Sequence, residues 1–197
     1  MPHKPQGLQK ASSISLLKSR YPSFSDFQRA YAAVNIQAVA LAPTKCFTSE
    51  DSPALSVMKA TYGSQAPVSW LISIFSQWQE TIPVPGKMTV MQLHLLANEI
   101  SRTLYYLKAS EIMLFLARLT GGAYNISWYN QINPDVILDT LRTRFMAERD
   151  TALYMAETVK KEEEKEEPIT WEEHCRRHGK STDNPFDRIN INNINDL

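Results

Sequence analysis

Apolar residues recur along this chain at helical spacing, and polar punctuation breaks them into segments. Phe27, Tyr31, Val34, Ala38 and Leu41 fall on one face of a helix. Ser25-Asp26-Phe27-Gln28 precedes them as a capping box, in which the serine oxygen accepts the N–H three residues on and Gln28 reaches back. Ala42-Pro43 is expected to end that helix. Ser52-Pro53 reads as an N-cap with proline at the first helical position, leading to Leu55, Met58 and Tyr62 and stopping at Gly63. Ser64 is expected to cap a helix carrying Val68, Leu71, Phe75 and Trp78, which Ile72 and Ile74 widen into a nearly all-round apolar surface suited to the centre of a core. Pro83, Pro85 and Gly86 break the pattern. Thr89-Val90-Met91-Gln92 forms a second capping box, followed by the stripe Leu93, Leu96, Ile100, Leu104 and Leu107. Ser110 is expected to cap a helix with Ile112, Phe115, Leu116 and Leu119, closed by Gly121 or Gly122 in the left-handed conformation. Asn133-Pro134-Asp135 opens the last long helix, whose face is Ile137, Leu141, Phe145 and Ala152.

This pattern predicts an all-α fold, a compact bundle of about six helices. Residues 1–19 read as a flexible leader with a short helix from Ser13 to Arg20, and residues 20–158 as the helical domain. Residues 159–197 read as a charged linker, a short helix and a disordered acidic tail. The linker, Lys160 to Glu167, holds no apolar residue; Thr170-Trp171-Glu172-Glu173 is a third capping box, starting a helix near 171–178. Between the last two long helices of the domain, Tyr124 to Ile132 is expected to hold a small β-turn or hairpin. Its Tyr124, Trp128 and Tyr129 either cover the core or project outward as anchors for a partner.

Composition narrows the classes. Apolar residues make up 43% of the chain, and glycines number only six, which suits helices with short connections. No run of about 18 apolar residues exists, so no membrane span is expected, nor is a secretory signal. Cys46 and Cys175 lie far apart, which fits a reducing, cytoplasmic setting without a structural disulfide. Net charge is zero but divided. Residues 1–147 hold 13 Lys/Arg against 8 Asp/Glu, and residues 148–197 hold 8 against 13. The acidic end is a solvating tail or a mimic that shields a basic surface.

No cofactor or metal motif is found. His174-Cys175-Arg176-Arg177-His178 offers too few well-placed ligands for zinc. Of the carboxylates, Glu111 and Asp135 sit in first helical turns, where the helix dipole explains them. Helices 89–107 and 110–120 are joined as tightly as a helix-turn-helix demands, but the second is almost wholly apolar and reads as core. Arg142, Arg144 and Arg149 lie outside the apolar stripe of the last helix. Together with Tyr124, Trp128, Tyr129 and Trp171 they form the candidate partner-binding set, and no catalytic residue is assigned.

Tyr62-Gly63, Trp70, Lys87-Met88-Thr89 with Gln92, Tyr106-Leu107, Glu111-Ile112, Gly122-x-Tyr124, Asp135-x-Ile137 and Arg149, in that order, resemble a family of small uncharacterised proteins from phages and mobile elements of Bacteroidota. The likeness spans residues 58–157, and Asn125 stands where the family carries glycine. The domain-plus-tail layout is also similar to phage helicase loaders and DnaD-like replication proteins. Together with the absence of a catalytic motif, these resemblances lead to the expectation of a non-enzymatic accessory protein in the host cytoplasm. It would act through protein–protein contact in DNA replication, with a replicative helicase or a second copy as partner. The alternatives are a virion-associated assembly protein and a small DNA-binding regulator whose binding falls steeply with salt.

Overall fold

The computed structural model describes residues 6–165, with side chains from 13 to 162. The expected all-α architecture forms, and among the described residues there is no strand, only two isolated bridges. The chain divides into a compact unit ending at Ala156 and a second beginning at Glu157. Trp171, the helix expected near 171–178 and the His174–His178 cluster lie outside the described residues.

α1 (Gln6–Arg20) begins ahead of the expected Ser13, packs against α5 (Leu55–Tyr62), and sends Leu17 into the core. The single helix expected from Phe27 to Leu41 does not form. α2 (Phe24–Ala30) is capped by Ser23, not Ser25: the Ser23 hydroxyl accepts the Asp26 N–H at 3.1 Å, and the Asp26 carboxylate accepts the Ser23 N–H at 3.1 Å. The Tyr31 carbonyl is taken by the Trp70 indole N–H at 3.0 Å, and the backbone turns extended at Ala32. A 3₁₀ turn, Ala33–Asn35, then leads into α3 (Ile36–Ala40), which faces its Ile36 inward. Val34 and Leu41 are left 85% and 87% exposed, so the expected stripe is broken. Pro43 starts α4 (Pro43–Thr48) instead of merely ending what precedes it.

The core is built on α6 (Ala66–Gln79), α7 (Val90–Thr103) and α8 (Ala109–Thr120). α6 buries Leu71, Ile74, Phe75 and Trp78 and packs against α7. Ser64 does not cap α6, whose N-cap is Gln65 without a side-chain bond. Thr89 and Gln92 cap α7 reciprocally, at 3.2 and 2.8 Å. All five residues of the stripe Leu93 to Leu107 are buried.

The start of α8 is capped from a distance. Its Ser110 N–H donates to the Ser52 hydroxyl at 2.9 Å, and Ala109 N–H to the Pro53 carbonyl at 2.9 Å. Ser52 therefore serves α8 and not its own helix, and the Ser110 hydroxyl donates to the Cys46 carbonyl at 3.0 Å. In return Leu55 N–H donates to Leu107 O at 2.9 Å, so the starts of α5 and α8 satisfy each other's orphan groups. α8 ends at Thr120 with Gly121 as its C-cap, and Gly122 takes φ +72°, the left-handed conformation that lets Ala123 N–H reach back to Arg118 O at 3.0 Å.

Asn133 caps α9 (Pro134–Thr140), its side chain accepting the Asp135 N–H at 2.9 Å. A π-turn, Leu141–Phe145, joins α9 to α10 (Met146–Lys165). The turn takes in one extra residue, and Ile137, Leu141 and Phe145 are fully buried along it. In the second unit Lys161 and Glu157 form an i,i+4 pair at 2.8 Å.

Candidate functional site

The loop between α8 and α9 is built from two turns. Asn125 N–H donates to Gly122 O, and Gln131 N–H to Trp128 O, each at 3.0 Å. No hairpin forms; Gly86 instead bridges the loop's end, donating to Asn130 O at 2.9 Å and accepting from Ile132 N–H at 2.8 Å. Two non-glycine residues of the described chain have positive φ, and both lie here: Asn125 at +49° and Tyr129 at +48°. Asparagine tolerates this conformation, whereas a bulky aromatic in it is an outlier.

The three loop aromatics have different fates. Tyr124 turns inward against Phe115, and its hydroxyl donates to Glu148 at 3.0 Å. Burial and the neighbouring Glu148 carboxylate push its phenol well above the usual range. Trp128 is half-buried, its ring edge-on to Trp78 at 6.1 Å. Tyr129 is 90% exposed. Beside it, an open cleft of about 570 Å³ lies between the loop and α9. Ile126, Val136, Asp135, Asp139 and Arg144 help to line it. Asp135 and Asp139 are four residues apart on one side of α9, and neither pairs with a cation among the described residues.

The three arginines are not gathered around this cleft. Only Arg144 lines it, and it donates to the Tyr124 carbonyl, fixing the loop's first turn. Arg142 binds Glu99 and, at 3.1 Å, the Thr103 hydroxyl on α7. Arg149 donates to Glu111 at 2.8 Å and lies over the Tyr106 ring at 5.6 Å. Glu111 also accepts the Lys108 N–H at 2.7 Å, as its first-turn position suggests. Arg102 shares Glu99 with Arg142, and these two arginines hold that carboxyl below the ordinary carboxylate range.

A second aromatic surface was not singled out by sequence reasoning. Tyr105 and Tyr106 form an exposed edge-to-face pair at 5.7 Å. The signal was available, because Leu104 and Leu107 carry the stripe and leave both tyrosines off it. Val90, Met91 and Leu95 are likewise exposed on the outer face of α7.

Among the described residues no group of three metal-type side chains converges, and no helix is long and apolar enough to cross a membrane. Cys46 is buried in the core, which raises its thiol to about 11. Compared with known protein families, curated proteins and solved structures, the chain matches none.

Proposed function

We propose that this protein is a non-catalytic interaction module that holds a segment of a partner protein in the cleft between the aromatic loop and α9. Tyr129 carries this reading. Its left-handed backbone costs about 1–2 kcal/mol, yet its ring is 90% exposed and gains little from the protein's own core. Tyrosine anchors interfaces because it buries a large rigid ring at little cost in rotamer entropy.

The cleft also defines the partner's chemistry. Asp135 and Asp139 call for lysine or arginine, and Ile126 and Val136 for an apolar side chain beside it. The resemblance to phage and mobile-element proteins supports an accessory role in DNA replication, and makes a replicative helicase the first partner to test.

The test is direct binding of the full chain to purified replicative helicase by interferometry. Binding is expected, and Tyr129→Gly should weaken it about tenfold or more, the loss typical of an interface anchor. Failure of the helicase to bind, or equal binding by Tyr129→Gly and by a double Asp135→Asn, Asp139→Asn variant, would end the proposal.

A further inference from the structure

We infer that the Tyr105–Tyr106 pair and the arginines around it form a binding strip for single-stranded nucleic acid. The strip shares no residue with the Tyr129 cleft.

Two contact groups make it up: Tyr106 touches Tyr105 and Arg149, and Glu99 holds Arg102 and Arg142. Tyr105 and Tyr106 close the end of α7, 56% and 39% exposed, with ring planes 84° apart. The Tyr105 carbonyl accepts the Ser56 N–H at 2.8 Å, which ties the pair's backbone to α5. One turn before the tyrosines, Arg102 lies with its side chain 74% exposed and bonds Glu99 at 2.7 Å. Arg142, from the π-turn, bonds the other oxygen of Glu99 and is 40% exposed. Arg149 sits beneath Tyr106 and is anchored by Glu111. One of the two exposed rings thus meets a guanidinium directly, and the Arg102–Glu99–Arg142 cluster stands about one helical turn before them.

The carboxylates orient these arginines without using them up. A guanidinium carries five N–H donors, and one carboxylate oxygen occupies only part of that set. Glu99 serves two arginines, so that cluster keeps a net positive charge. The whole of residues 1–147 has an excess of five positive charges.

An acidic protein segment would satisfy the arginines as well. The rings decide between the two. Around the strip each cation has a carboxylate neighbour, so electrostatic attraction alone is modest and the tyrosines must supply much of the affinity. Bases stack on exposed tyrosines whatever their identity, while glutamate and aspartate offer nothing to stack. A duplex keeps its bases paired and hidden, so the preference is for single strands.

The test is fluorescence anisotropy of the full-length protein with a labelled oligothymidylate of about 20 nucleotides. Binding should weaken between about 50 and 200 mM salt, and a duplex of the same length should bind more weakly. Tyr105→Ala should weaken binding about tenfold, with Tyr105→Phe restoring it. Arg102→Ala should weaken it and flatten the logarithmic salt slope by about 0.7. Both sites are exposed, and thermal melts of each variant confirm that it is folded. No binding at low salt, or wild-type binding by Tyr105→Ala and Arg102→Ala, overturns the inference. A glutamate-rich peptide displacing the oligonucleotide at equal total charge also overturns it and assigns the strip to an acidic protein. Tyr129→Gly should bind the oligonucleotide normally, so failure of the cleft proposal and failure of this one are read separately.

Discussion

The Nε of Arg149 lies 2.8 Å from Oε1 of Glu111, 38 residues away in sequence, and the Glu111 carboxylate has no exposed surface. This contact fastens α10 to the first turn of α8. A buried pair costs desolvation to form, but removing one partner strands a charge in a low-dielectric interior.

Arg149→Ala should therefore lower the unfolding free energy by about 3 kcal/mol, measured by urea denaturation. Arg149→Lys should recover only part of this, because an ammonium cannot lie flat over Tyr106 while meeting Glu111 in the same geometry. A loss below about 1 kcal/mol for Arg149→Ala would place the pair with ordinary surface bridges.

Gly86 sets the loop's far end. A Cβ there would stand 2.6 Å from the Asn130 carbonyl oxygen and 2.6 Å from the Gln131 Cβ. Gly86→Ala should destabilise by about 1–3 kcal/mol, and should weaken capture at the Tyr129 cleft as the loop moves away. Amide hydrogen exchange checks this, with Ile132 N–H, which donates to Gly86 O, losing protection first.

Tyr129→Gly separates strain from function. Glycine adopts φ +48° without steric cost, so the variant should be more stable than the parent by about 0.5–1 kcal/mol. Partner capture should fall at the same time. A variant that loses stability would mean that the ring supports the fold.

Alkaline pH should unfold the protein early. Burial pushes the Tyr31 phenol from its ordinary value of 10 up to about 12. Below pH 10 the phenol is neutral in both folded and unfolded chains, and its contribution is complete. As pH rises towards 12 the unfolded chain loses this proton first, so stability falls. The gap is worth on the order of 2–3 kcal/mol. Cys46, raised from 9 to about 11 by burial, adds to the same trend from pH 9 upwards. Tyr31→Phe should flatten the stability–pH curve between 10 and 12 in denaturant titrations.

Local bonding explains what could be read in advance. The Thr89–Gln92 box closes within three residues and Asn133-Pro134 acts on its own turn, so residue type alone was enough there, whereas residue type left the left-handed stop open between Gly121 and Gly122. Ser23 and Ser25 both fit the capping pattern, and short-range rules do not choose between them; the packing of Phe27 against Tyr21, Tyr31 and Trp70 goes with the Ser23 register. Of the candidate site, the loop's position was legible, but the direction of each side chain was not. Tyr124 turns inward because Glu148 and Phe115 wait for it from other elements. Arg142 and Arg149 are drawn to Glu99 and Glu111 on α7 and α8.

The sequence by itself determined the all-α class, the apolar faces of α6 to α8 and the caps at Thr89 and Asn133, because period and residue type fix bonds between near neighbours. The tertiary structure alone decided that Ser52 caps a helix 58 residues away, that the Phe27–Leu41 stretch breaks at Tyr31, and that Tyr129 rather than Tyr124 faces solvent. Each of those outcomes depends on which buried polar group or cavity a side chain meets across the fold, and no window of neighbouring residues contains that partner.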